Sequence, residues 1–508
     1  MLLCWHFLAF YDGVLTMLRS HRVLLTPMLA GVLGLSALSA AAEPHRGGDR
    51  ASEERNVILI VGDGMGYNSV DLASLYEHGT AAYQSQEDNA HLAADGGPAR
   101  ESQLYQHFAT EVGVETGYVF SPPYESIDAW ASARHVTRDN PDQEVLVTDS
   151  GAAATAMSTG VRTRGGYLGW DRDENPLQDM VDVASTQGMA TGLVTSGRFW
   201  GDTTAGFAVH AEDDDSAEII DQLLFHPDLD VIMGGGHPGF NNDGTPKPEP
   251  HHEYMPADIW AALHGETTVD GLPDWTLVDE RDEFRALAAP GTAKRRGVEV
   301  PEQVLGLAQT DGALFHDRPG KTDVPFAEPM ADNIPPLDEM ALANLNILAR
   351  ASETGFFTVI EAATIDSAAH HGQLGRQIEA QVALNHTAEA VAGWVRRNSS
   401  WQETTVIVTS DHETGNLWGS GTRESGTFQP LTGNQNEVPA AEHADFTEAD
   451  PADPDQPPHY HTHQLVPLFA HGALADELAA TATSTDPVRG AYLHNTDIAT
   501  TIRDHLTE

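Results

Sequence analysis

Five stretches of this 508-residue chain carry side chains able to bind a cation or attack an electrophile, and four of them follow apolar, β-branched runs. Asn-Val-Ile-Leu-Ile-Val-Gly ends in Asp63, Thr-Thr-Val-Ile-Val-Thr-Ser ends in Asp411 and His412, and Phe-Phe-Thr-Val-Ile ends in Glu361. In an open α/β sheet the carboxyl ends of parallel strands are where ligands bind, so carboxylates delivered to that edge suggest a metal site. Beyond Glu361, Asp366 and His370 stand four apart, which on a helix puts both on one face, spaced to hold one ion. A mixed carboxylate–imidazole set suits zinc, and a carboxylate with hydroxyl partners suits magnesium. Val-Leu-Val-Thr-Asp149-Ser150-Gly-Ala-Ala-Ala reads as a strand, a turn and a helix start, where convergent N–H groups and the helix dipole favour an alkoxide and a bound phosphate. The same two polar residues also make an ordinary helix cap. No Gly-x-Ser-x-Gly elbow surrounds Ser150, which disfavours a hydrolase triad. The fifth stretch, His459-Tyr-His461-Thr-His463 with His471 farther on, offers metal donors or simply a polar loop.

These side chains need a scaffold, and the sequence alternates strand-like with helix-like runs, the pattern of a mainly parallel sheet. Strands are expected at Asn56–Val61, Ala190–Thr195, Asp230–Met233, Phe356–Glu361, Thr404–Thr409 and Val466–Ala470. Helices are expected at Ala152–Ser158, Pro176–Gln187, Leu337–Ser352 and Arg376–Arg397, with Asn495 capping a last one. The expected architecture is an α/β sandwich: a central, mainly parallel β-sheet with helices on both faces, forming a single domain over 43–508. Three polar or Pro- and acid-rich stretches, near 83–140, 238–336 and 415–458, read as long loop insertions.

Acidic residues outnumber basic ones 76 to 27, a formal charge of −49, and lysine occurs only at Lys247, Lys294 and Lys321. Such a surface repels phosphate backbones, so nucleic-acid binding is excluded as a function class. It suits a solvated exported protein or one adapted to high salt, and the scarcity of lysine favours salt. From Met17 a basic start, an apolar run and Ala40-Ala41-Ala42 form a signal peptide, preceded by an upstream extension. Residues 1–42 would be removed, taking with them the one cysteine, Cys4. The apolar run is short for a membrane span, so a periplasmic or secreted protein with no stable anchor is expected.

Taken together and in this order, the segments resemble the alkaline phosphatase family. The resemblance rests on Gly-Asp63-Gly-Met-Gly, Thr-Asp149-Ser150-Gly-Ala-Ala-Ala-Thr-Ala-Met-Ser-Thr-Gly-Val, Asp230-Val-Ile-Met-Gly-Gly-Gly, Glu361…Asp366…His370, Thr-Ser-Asp411-His412-Glu-Thr-Gly and His461-Thr…Val-Pro-Leu-Phe-Ala. It runs from about Asn56 to the C-terminus, with poorer agreement in the insertions. It implies hydrolysis of phosphate monoesters to inorganic phosphate and an alcohol, with Ser150 as the transiently phosphorylated nucleophile. It implies one zinc held by Asp366, His370 and His461, a second by Asp63, Asp411 and His412, and a magnesium by Asp63, Glu361 and a threonine. Counting back from His210 selects Thr203, with Thr204 as the one-residue-gap alternative. A homodimer is likewise what the resemblance implies.

The chain departs from the family at the phosphate-clamping arginine, whose matching position is Asp214 in Glu212-Asp213-Asp214-Asp215. Arg162 and Arg164 are the candidates to replace it by position. Two positions that often carry charged or histidine side chains near the metals are Gly201 and Ser367. Two other readings compete: a phosphodiesterase or related hydrolase of the same superfamily, and a non-catalytic acidic protein that binds divalent cations.

Overall fold

The residues before Asp63 form strand β1, Asn56–Gly62, and all of them are buried. A strand covered on both faces is continuously apolar rather than alternating. Val57, Leu59 and Val61 pack into one layer with Met157, Val181, Ile498 and Ile502. Ile58 and Ile60 enter the opposite layer with Met340, Leu345, Leu348, Val391 and Val395. The computed structural model describes residues 56–81, 106–111, 148–292, 301, 303–314, 318–426, 428–444, 460–462, 464–486 and 490–507. The expected upstream extension and signal peptide, with Cys4, lie outside these residues.

Ten further strands join β1 in one sheet: β2 Gln106–Glu111, β3 Ala190–Arg198, β4 Val231–Gly235, β5 Thr276–Val278, β6 Val304–Leu307, β7 Phe356–Ala362, β8 Thr404–Thr409, β9 Val466–His471, β10 Ser484–Asp486 and β11 Gly490–His494. Their order is β10-β11-β2-β9-β8-β1-β7-β3-β4-β6-β5. From β8 to β5 every pairing is parallel. Strand β9 runs antiparallel to both β8 and β2.

The helices that matter for the site are α1 Tyr67–His78, α2 Ser150–Thr159, α3 Met180–Thr186, α4 Asp202–Ala205, α5 Leu337–Ala351, α6 Thr364–His370, α7 Leu374–Asn398 and α8 Asn495–Thr507. Helices α2, α3 and α8 contribute to the first core layer, and α5 and α7 to the second. The expected architecture, a mainly parallel sheet between two helical layers, is the one found. Among the described residues no helix is long and apolar enough to cross a membrane.

Two of the stretches read as loops contribute to the sheet itself. Strand β2 comes from within 83–140, and β5 and β6 come from within 238–336, together with helices Ala257–Leu263 and Arg281–Ala288. Three- and four-residue strands carry too little period to stand out in sequence, and β2 is largely polar. Their pairing partners supply what their own pattern lacks.

Helix α3 is shorter than expected, because Pro176 is drawn into a bridge with Trp170 and Asp179 caps the helix by accepting from Asp182 N at 2.9 Å. Burial, then the neighbouring Asp182 and Asp228, pushes the Asp179 carboxyl up to about 7, against the pull of the Asp182 and Val181 N–H groups. A carboxyl whose folded pKa lies above its unfolded value of about 3.9 gives stability that is full below pH 4 and lost as pH rises towards 7. Asparagine caps equally well and carries no charge to bury. Asp179→Asn is therefore expected to stabilise the fold by ~1–4 kcal/mol at pH 8 and to be neutral at pH 4. Thermal melts at the two pH values check this; an equal shift at both would refute it.

Candidate metal and nucleophile centre

Parallel strands with a common direction bring their carboxyl ends to one edge, and the register fixes what meets there. Glu361 at the end of β7 is level with Val61 of β1 on one side and Thr195 of β3 on the other. Asp63 follows β1 by one residue, and Asp411 and His412 follow β8 directly after Ser410. Gly64 makes the close approach possible. Its φ is +72°, and a Cβ there would meet Asp366 Cα at 2.7 Å and Thr414 Oγ1 at 2.9 Å. The Gly64 N–H in turn donates to Asp411 Oδ1 at 3.0 Å.

Two groups of ligand atoms result, each with all its atoms within 4.8 Å of one another: Asp366, His370 and His461, and Asp63, Asp411 and His412. Asp366 and His370 lie on α6 as expected, with Nε2 of His370 3.2 Å from Oδ1 of Asp366. His461 arrives on a short ribbon in which His461–Thr462 pairs antiparallel with Glu413–Thr414. Its Nε2 lies 3.1 Å from Nε2 of His370 and 3.5 Å from Asp366 Oδ1. Its Nδ1 is 2.9 Å from the Thr148 carbonyl, which turns Nε2 toward the other ligands. In the second group, His412 Nε2 lies 3.2 Å from Asp411 Oδ2 and 3.7 Å from Asp63 Oδ1. The His412 and His461 rings stack with centroids 3.5 Å apart, so the two groups adjoin.

Ser150 is the first residue of α2, capped by Asp149, whose Oδ1 accepts from Ala152 N at 2.7 Å. Asp149 makes the helix cap, and Ser150 stands at the positive helix end. Ser150 Oγ lies 3.1 Å from His412 Nε2. Thr203 on α4 places its hydroxyl 3.3 Å from Asp63 Oδ2 and also bonds Glu361, whereas Thr204 bonds the Gly201 carbonyl.

The electrostatics are those of a site built for cations. Asp63 Oδ1, Glu361 Oε2 and Asp411 Oδ2 are buried and receive no hydrogen bond. Burial first, then the charges of Asp411, Asp366 and Glu361, holds the Asp63 carboxyl well above its ordinary value, and burial followed by the Asp366 charge raises that of Asp411. Glu361 is pushed up to about 7 by burial and then by the Asp411 charge, despite hydrogen bonds from Thr195 and Thr203. Burial also works to raise Asp366, but His370 and His461 outweigh it and hold that carboxyl well below its usual range. His461 is correspondingly raised to about 9, Asp366 overcoming the effect of burial, while burial and the His461 charge keep His412 neutral. Convergent imidazole nitrogens and carboxylate oxygens fit zinc at the two nitrogen-bearing groups, and in the second of them Asp63 Oδ1 and Asp411 Oδ2 are left without a donor. The Asp63, Glu361 and Thr203 oxygens fit magnesium.

Not every expected residue gathers here. His471 closes β9 at the opposite edge and packs on Trp401, and His459 and His463 lie outside the described residues. Arg162 reaches Nδ1 of His494 at 3.0 Å, and Arg164 bonds the Tyr167 hydroxyl. Asp149 Oδ2 accepts from the Gly166 backbone at 2.6 Å, and burial first, then the nearby Asp213, lifts the Asp149 carboxyl to about 6 against the pull of the Ala152 and Gly166 N–H groups.

Sequence reasoning passed over Thr195, Thr148 and Thr414. Thr195 was signalled by its place opposite Glu361 once the strands are paired, and Thr414 by lying two residues past His412 in an extended segment, on the same side.

A family model described as alkaline phosphatase matches residues 116–505. The chain is 30% identical over 283 residues to the repressible alkaline phosphatase of Saccharomyces cerevisiae, a match spanning 54% of this chain and 46% of that protein. It is 25% identical over 459 residues to the alkaline phosphatase of Escherichia fergusonii, covering 85% of this chain and 84% of that one. Among solved structures, an alkaline phosphatase variant from the Antarctic bacterium TAB5, with magnesium bound, superposes with a TM-score of 0.53. That alignment is 18% identical and covers 90% of this chain and 99% of the other, a likeness of fold.

Proposed function

Because the chain belongs to the alkaline phosphatase family, we propose that it hydrolyses phosphate monoesters through a phosphoserine intermediate on Ser150, releasing inorganic phosphate and an alcohol. The observation that carries this reading is the 3.1 Å approach of Ser150 Oγ to His412 Nε2, beside two adjoining groups of ligand atoms. Asp366, His370 and His461 would hold one zinc, Asp63, Asp411 and His412 the second, and Asp63, Glu361 and Thr203 a magnesium. Bound there, the cations supply Lewis acidity that makes a serine hydroxyl and then a water nucleophilic near neutral pH, and they offset the charge of the phosphoryl group.

The protein's own groups do the positioning. Ser150 sits at the positive end of α2, where an approaching phosphate is favoured. Its Oγ forms the new bond to phosphorus as the ester oxygen leaves with the electron pair and, gaining the proton that Ser150 gives up, departs as the alcohol. Water then breaks the Oγ–P bond and returns the proton to Ser150. The Thr148 carbonyl and the α2 cap fix His461 and Ser150 before substrate arrives. The same reading makes 43–508 one catalytic domain, exported after loss of 1–42 and paired as a homodimer.

The test is metal content together with substrate preference. Purified enzyme should carry two zinc ions and one magnesium per chain. It should turn over an aryl phosphate monoester at least about 100-fold better, by kcat/KM, than the matching diester. Preference for the diester would instead identify a phosphodiesterase.

A further inference from the structure

One fully buried side chain outside the two ligand groups touches both of them. Thr414 Oγ1 lies 2.5 Å from Asp366 Oδ1 and 3.3 Å from His412 Nδ1. A hydroxyl has one proton to give and two lone pairs to receive, and a carboxylate only accepts. The Thr414 proton therefore goes to Asp366, and its lone pair faces His412 Nδ1–H. That arrangement selects the His412 tautomer whose bare nitrogen is Nε2, the atom facing Ser150 Oγ, Asp411 and Asp63.

We propose that Thr414 is a positioning residue that couples the two metal groups through the chain His412 Nδ1–H to Thr414 Oγ1–H to Asp366 Oδ1. The inference rests on the reading that both groups hold a metal ion. It follows a general habit of metal-binding histidines, whose second nitrogen donates to an outer acceptor that sets ring orientation and ligand basicity. His461 uses the Thr148 carbonyl for the same purpose, but a carbonyl ends the chain whereas a hydroxyl passes it on.

The surroundings leave Thr414 little freedom. Its backbone N donates to the Gly64 carbonyl at 3.3 Å, and the Gly64 backbone closes over the hydroxyl. The neighbouring Glu413 carboxylate locks the ribbon by accepting from Asn416 N at 3.2 Å, Leu417 N at 3.0 Å, Gln464 Nε2 at 3.1 Å and the Thr462 hydroxyl. Thr414 thus faces one imidazole of one group and one carboxylate of the other in a fixed geometry. Valine has nearly its shape and lacks only the polar link.

Metal-free protein titrated with cobalt(II), followed by visible absorption, tests this without reference to turnover. Wild type should bind at both groups, Thr414→Val should bind about 10–100-fold more weakly at both, and Thr414→Ser should recover wild-type affinity. With ¹⁵N-labelled histidine in the zinc-loaded protein, the His412 Nδ1–H signal should be protected from exchange in wild type and the serine variant and lost in the valine variant. Should valine prevent folding, Thr414→Ala removes the same hydroxyl. A folded variant without the hydroxyl that binds both cobalt ions as wild type does overturns the coupling alone. A wild-type protein that takes up fewer than two ions overturns the two-metal reading and the coupling with it.

Discussion

Ser150→Ala is expected to fold, to keep both groups of metal ligands, and to hydrolyse aryl phosphate monoesters on the order of 10³–10⁶-fold more slowly than wild type. Ser150 makes no contact that the fold depends on. The α2 cap is the Asp149 carboxylate, which accepts from Ala152 N and Gly166 N and is untouched by the substitution. What the variant loses is the oxygen 3.1 Å from His412 Nε2. A residual rate is expected, because cations held at the same edge can still activate water. Rapid acid quench with labelled substrate gives the decisive readout: wild type should retain phosphate on the protein, and the alanine variant none. Label on the variant at wild-type level would mean that another side chain is the nucleophile.

Chelation carries the second large effect, on stability as well as rate. Asp63, Asp411 and Glu361 each bury a carboxylate oxygen with no hydrogen-bond donor, an arrangement that is costly unless a cation lies among them. Ions that bind the native state and not the unfolded chain stabilise it by mass action, each by several kcal/mol at a thousandfold excess over Kd. Stripping them should abolish turnover and lower Tm by on the order of 5–10 °C for a domain of this size. Zinc with magnesium should restore both, and magnesium alone should recover less. Undiminished hydrolysis by the stripped protein would sink the metal-dependent reading. A non-catalytic cation binder would show the Tm change with no hydrolysis to restore.

Legibility in the sequence followed the length and patterning of each segment. Runs such as Asn56–Gly62 and Thr404–Thr409 are buried on both faces, and their largely apolar, β-branched composition makes them readable. The short strands β5 and β6 and the polar β2 could not be read, because each is held by its neighbours rather than by its own pattern. Pro176 was read as a helix start by its position near an amphipathic run, and the helix begins at Met180 because Asp179 offers the better cap. The arginine question divides in the same way. That Asp214 stands at the matching position is plain from the residues, but that Arg162 reaches His494 and Arg164 the Tyr167 hydroxyl required the loop to be seen.

By itself the sequence determined which chemical groups this protein can bring to bear: the carboxylates and imidazoles at the ends of apolar runs, and a serine at a helix start. Residue type and local spacing suffice for that, since strand ends and helix starts are local features. Only the tertiary structure decided which atoms of those groups meet. The pairing of β1 with β7 and β8 sets Glu361 and Asp411 against Asp63, the ribbon brings His461 to Asp366, and the turn after β1 leaves Thr414 between the two groups. Such contacts join residues up to about 350 positions apart, and their distances depend on register and packing that no local stretch of chain contains.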